Sequence, residues 1–172
     1  MPLLPILVSF AAVAASVAID QYIKMLVLAQ LQPLGRVEVI PGLFQLIYVE
    51  NRGAAFGILA NYQWLFILLT SVICLAMAAS LIWYKHHTGL TRTAATLIIA
   101  GGLGNLIDRV RLNFVVDYLH VEFFPPVFNF ADICVTVGCG LMVLYVVLFA
   151  DHNGRPKKGR KYAKYANYSH RS

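Results

Sequence analysis

Four stretches of this chain carry no charged residue: 1–19, 64–84, 93–107 and 133–150, with lengths of 19, 21, 15 and 18 residues. A helix that crosses a bilayer needs about 20 apolar residues, within a working range of about 17–25. Three runs meet that outright, and the third does so once residues 90–92 extend it. Composition agrees, since 59% of the 172 residues are hydrophobic and only 13% are charged. Soluble domains average about 45–50% and about 25%. The sequence therefore predicts a mainly helical membrane protein with spans near 3–24, 64–84, 90–108 and 131–150. No basic residue precedes Asp20, so the first run is read as a retained span rather than a cleaved signal peptide.

Charge gives the orientation. Seven of the 14 Lys and Arg residues follow Ala150, and Lys85 and Arg92 flank the short second loop. Seven of the eight carboxylates lie around the first and third loops: Asp20, Glu38, Glu50, Asp108, Asp117, Glu122 and Asp132. The positive-inside rule then places both termini and the second loop in the cytoplasm, with the acidic loops outside. The division expected is a transmembrane unit over 1–152 and a basic cytoplasmic tail over 153–172. Such a tail beside a span serves topology and anionic lipid rather than nucleic acid.

The first outer segment, about 30–62, reads as strand (37–40), Pro41-Gly42 turn and strand (43–50), followed by the small apolar run Asn51-Arg-Gly-Ala-Ala-Phe-Gly57. In the third outer loop Pro125-Pro126 bars a continuous helix. Ala100 and Gly104, four apart in the third run, suit close helix contact in lipid. Cys74, Cys134 and Cys139 all lie in apolar runs, which argues against a disulfide framework.

Depth singles out the acids. If Arg92 marks the cytoplasmic face, the outer boundary falls near residue 112, and Asp108 lies roughly 6 Å inside it. A span counted back from Asp151 begins near Asp132. Charge at that depth faces protein or water. Asp20 and Lys24, at i,i+4, read as a structural ion pair, and Asp108 and Arg109 as groups able to pair across helices. Asp117, in Val115-Val-Asp-Tyr-Leu119, has no basic neighbour, and Asp132 follows Phe128-Asn-Phe-Ala131. Two carboxylates without cations, sharing one proton, supply an acid and a base.

Other chemistries lack their residues. There is no HExxH, no GxSxG, and no PCxxC after His120-Val-Glu122. No metal or cofactor site is expected. A small transporter would also set carboxylates at a boundary, but the span interiors offer mostly Ser, Thr, Cys and Gly rather than a polar path. A purely structural protein leaves the two unpaired aspartates without a role.

Five blocks carry a family resemblance: Asp20-Gln-Tyr-Ile-Lys24, Asn51-Arg-Gly-Ala-Ala-Phe-Gly57, Gly101-Gly-Leu-Gly-Asn-Leu-Ile-Asp-Arg109, Val115-Val-Asp-Tyr118 and Phe128-Asn-Phe-Ala-Asp132. In that order, with four spans, the chain from about Ile19 to Val147 resembles the lipoprotein (type II) signal peptidases. The resemblance implies four transmembrane helices with a small extracytoplasmic β-rich cradle in the bacterial inner membrane. It implies an aspartyl endopeptidase that cuts prolipoproteins before a diacylglyceryl-modified cysteine, with the active site near the extracytoplasmic face. It assigns Asp117 and Asp132 as catalytic, and Asn51, Asn105, Asp108, Arg109 and Asn129 as shaping the site or holding substrate. Asp20, Lys24, Gly53 and Phe56 match architectural positions. The implied partners are lipidated prolipoproteins and membrane lipid, with a monomeric enzyme, no nucleic acid and no cofactor. Ile23 and Cys134 depart from the family's usual residues beside the first and last blocks.

Overall fold

The structure, a computed structural model, describes residues 3–53 and 62–149. Phe56, with the rest of the 54–61 segment, and the basic tail lie outside the described residues. Four helices among the described residues are long and apolar enough to cross a membrane. They are α1 (Leu3–Leu26), α2 (Gln63–Trp83), α3 (Gly89–Leu112) and α4 (Phe130–Phe149). With a small antiparallel sheet, they form the mainly helical membrane fold expected.

α1 runs past its predicted end at residue 24 through a single π turn, Val27–Leu31, in which the Gln32 N–H donates to the Val27 carbonyl at 2.9 Å. Val27 and Leu31 share one face and bury against Val116 and Tyr118 of the sheet. That burial favours continuing the helix. Pro33 and Gly35, the latter at φ +72°, then turn the chain into the first strand.

α3 is the central helix, buried along most of its length, while α1, α2 and α4 present broad apolar outer faces. Its glycines explain how three helices reach it. A Cβ on Gly101 would meet the Ala131 carbonyl of α4, one on Gly102 would lie 2.6 Å from Cys74 Sγ of α2, and one on Gly104 2.6 Å from Asp20 Oδ2 of α1. Thr88 and Thr91 form a reciprocal capping box at the start of α3, and Asn113, at φ 64°, closes its other end. Gly101→Ala should therefore lower the thermal midpoint, because a clash with backbone costs up to about 3 kcal/mol against roughly 1 kcal/mol of helix propensity gained. Gly140→Ala, which meets nothing within 4 Å, is the control and should hold or raise the midpoint. Equal midpoints for the two variants would contradict this packing.

The sheet has the order β1 (Arg36–Ile40), β2 (Phe44–Asn51), β3 (Val115–Val121) and β4 (Phe124–Phe128), each pair antiparallel. The first hairpin was legible in the sequence; β3 and β4 were not. The Pro125-Pro126 pair sits in β4, an edge strand, where a missing N–H leaves fewer ladder bonds unmade. Bulges interrupt all three pairings, and such irregularities bend a sheet. The β2–β3 pairing joins segments separated by α2 and α3, and sets Val49 opposite Asp117 and Asn51 opposite Val115.

Candidate active site

Asp132 lies in the first turn of α4, and its position follows from a local motif. The Asn129 N–H donates to Asp132 Oδ2 at 3.1 Å, and the Asp132 N–H donates to Asn129 Oδ1 at 2.9 Å. This is a capping box with Asn129 as the cap. The spacing Asn-x-x-Asp ahead of an apolar run would have revealed it in the sequence. Tyr118 also helps start the helix, because its hydroxyl accepts the Phe130 N–H at 3.3 Å.

Asn129, fully buried, spends its amide nitrogen on two partners: Asp117 Oδ1 at 2.6 Å and Asn105 Oδ1 at 3.1 Å. Asn105 in turn donates to Asp132 Oδ1 at 2.7 Å. On the other side Asn51 Nδ2 donates to Asp117 Oδ2 at 2.8 Å, while Asn51 Oδ1 accepts the N–H of buried Gly53. The two aspartates are thus held by neutral amides from β2, α3 and the start of α4. Asn129 touches both of them, its side chain donating to Asp117 and its backbone N–H to Asp132. Neither has a Lys or Arg nitrogen within ion-pair distance among those residues.

Beneath this layer lies a buried ion cluster. Lys24 Nζ reaches Asp20 Oδ2 at 3.0 Å, Asp108 Oδ2 at 2.8 Å and Asn105 Oδ1 at 3.0 Å. Each acid also accepts one backbone N–H: Asp20 that of Ala131 and Asp108 that of Val116, both at 3.1 Å. Ala131 and Val116 are the residues just before Asp132 and Asp117. The cluster therefore grips the backbone beside each of the two aspartates. Gln21, not singled out in the sequence, adds a donor to Asp108 Oδ1 at 2.9 Å.

Arg109 behaves differently from Asp108. Its guanidinium lies over the Phe66 ring of α2, 5.3 Å from the centroid, and donates weakly to the Asn105 carbonyl. No carboxylate lies within ion-pair distance of it among the described residues, contrary to the expected cross-helix pair.

Asp117, Asp132 and Arg109 open onto a groove of about 890 Å³ whose other walls include Val49, Phe124, Pro126, Phe128 and Ile133. A smaller crevice of about 260 Å³ continues past Asp132 and Arg109 between α2 and α4, lined by Thr70, Cys74 and Val135. Burial is the main force on Asp117: with Asp132 nearby, it pushes the carboxyl up to about 7, against the lowering donation of Asn51 and Asn129. A buried carboxyl that changes charge near neutrality, beside a second carboxylate in a largely apolar groove, is equipped for proton transfer. Among the described residues no group of three or more His, Cys, Asp or Glu could hold a metal ion.

Residues 12–148 match the model of the family described as signal peptidase (SPase) II. The chain is 44% identical over 137 residues to the lipoprotein signal peptidase of Caldanaerobacter subterraneus subsp. tengcongensis, covering 80% of this chain and 93% of that protein. It is 44% identical over 134 residues to that of Clostridioides difficile strain 630, covering 77% and 90%. A solved structure described as a bacterial membrane enzyme matches with TM-score 0.75 and 32% identity, over 90% of this chain and 94% of the other.

Proposed function

The chain belongs to the signal peptidase II family, proteases that remove signal peptides from prolipoproteins, and from that premise we propose that Asp117 and Asp132 together activate water to cut the peptide bond before a diacylglyceryl-modified cysteine. One observation carries this reading. Two carboxylates stand on one groove, held by neutral amides and with no cation within ion-pair distance among the described residues, while the other buried acids of the site, Asp20 and Asp108, share the ammonium of Lys24.

With one proton between the two groups, the ionised carboxylate takes a proton from water as its oxygen bonds to the scissile carbonyl carbon. The protonated partner gives its proton to the carbonyl oxygen. The tetrahedral intermediate then collapses, the C–N bond breaks, and the amine leaves with a proton returned by the pair. Asp117, with its carboxyl near 7, is the natural holder of the proton. The largely apolar groove suits a lipidated, apolar substrate. The charge pattern supports cytoplasmic termini in a bacterial inner membrane, with the site toward the outer face. The chain is read as acting as a monomer without a cofactor.

The test is cleavage of a prolipoprotein by detergent-purified protein, with the product mass read for the cut before cysteine. The lipidated substrate should be cut and its Cys→Ser counterpart spared; no cut by folded protein would sink the reading. Dependence on pH follows from Asp117. Its neutral form predominates below about 7, so kcat/KM should fall as pH rises through that value, about tenfold per unit once both groups are ionised. A flat profile from pH 6 to 9 would remove Asp117 as the proton holder.

A further inference from the structure

We propose that Gln63 is a positioning residue for Asp117, acting through the Arg52–Gly53 peptide and the carboxamide of Asn51. This rests on the reading of Asp117 as one half of the working pair. Gln63 is the first residue of α2, outside the groove, and its Nε2 donates to two carbonyls, that of Arg52 at 3.1 Å and that of Asn113. The Arg52 carbonyl and the Gly53 N–H belong to one peptide group. Its oxygen is held by Gln63, and its N–H donates to Asn51 Oδ1 at 3.1 Å.

That second bond decides which way Asn51 faces. The two ends of a carboxamide are nearly equal in shape and opposite in hydrogen-bonding sense. With Oδ1 committed to Gly53, the nitrogen is the end turned to Asp117 Oδ2, 2.8 Å away. If the Arg52–Gly53 peptide rotates, Gly53 withdraws its N–H, and the bond to Asp117 is then the one described contact left to set the Asn51 amide. An amide held at one end only wavers, and each half-turn puts its oxygen against the carboxylate and removes a donor from Asp117.

The anchor at the other end is firm. Asn113 closes α3, its N–H donating to the Arg109 carbonyl at 3.2 Å. Residue 52 is tied to the same connector a second time. The Arg52 guanidinium lies over the Phe114 ring at 5.8 Å and is paired with Glu50 at 2.8 Å. Phe114 leads directly into β3, which carries Asp117. Gln63 thus joins the end of β2, which supplies Asn51, to the connector that leads into β3 and Asp117.

The test uses the full chain in detergent with a lipidated prolipoprotein, comparing wild type, Gln63→Met, Gln63→Ala, Asn51→Ala and the Gln63→Met/Asn51→Ala double variant. Methionine keeps the length of glutamine without donors or charge. Gln63→Met should lower kcat about tenfold with KM within about twofold, and move the Asp117 limb of the pH profile to higher pH, because the donation of Asn51 lowers that group. Added to Asn51→Ala, it should cost nothing further, as expected for residues acting in series. Losses that multiply in the double variant, or an unshifted pH limb, would reduce Gln63 to a staple of α2 and overturn the proposal. So would wild-type turnover by Gln63→Met, or by Gln63→Ala should the methionine variant not fold. An inactive wild type, or an active Asp117→Asn variant, would instead overturn the functional reading on which the relay rests.

Discussion

Asp117→Asn and Asp132→Asn should each lower cleavage by about 10³-fold or more, the upper part of the range for losing a group that both takes and gives a proton. Neither substitution is silent for structure. Asp117 accepts from Asn51 and Asn129, and Asp132 accepts from Asn105 and the Asn129 N–H. An asparagine in either place offers one acceptor where two are used, so a donor meets a donor. A lower thermal midpoint is therefore expected alongside the catalytic loss. Turnover by the folded fraction, measured with the midpoint, separates the two effects. Wild-type turnover by either folded variant would refute the pair, and Asp117→Ala with Asp132→Ala, which remove the donor clash, should be as inactive as the asparagine variants.

Lys24→Met should cost about 3–5 kcal/mol of stability, the usual penalty for removing one partner of a buried ion pair. Asp20, Asp108 and Lys24 are each no more than 2% exposed, so both acids would lose the one cation they share. The informative comparison is the triple variant Asp20→Asn/Lys24→Met/Asp108→Asn, which removes the charges together. It should unfold at higher temperature than Lys24→Met alone, since an uncharged replacement of a buried network costs less than a broken one. The opposite order would mean that the cluster holds by hydrogen bonding and not by charge attraction.

What the sequence showed was an inventory of apolar length and charge. Four runs gave the four helices, because span length and the scarcity of charge are local properties. The Asp20–Lys24 contact was legible from i,i+4 spacing. Asp117 stood out because it had no cation nearby in the chain, and the structure pairs it with none among the described residues. Partners chosen by tertiary packing were not legible. Lys24 serves two acids, one of them on another helix, whereas Arg109 lies over an aromatic ring. The β2–β3 pairing, which brings Asn51 beside Asp117, joins strands with two membrane helices between them, and no local pattern announces it. The π turn likewise depends on what Val27 and Leu31 bury against.

The grip of Asp20 on the Ala131 N–H joins the first helix to the start of the last. A nascent chain inserts its helices in order, and until α4 arrives Asp117 lacks Asp132 and Asp20 lacks the backbone N–H of Ala131. Asn129, which both bridges the aspartates and starts α4, is likewise among the last parts supplied. If Asp117 and Asp132 are the working pair, the centre stays incomplete until α4 docks, and a chain stalled after α3 is a membrane protein without a blade. Its own unfinished segments, and neighbouring precursors in the same bilayer, would then be safe from it until the final span arrives.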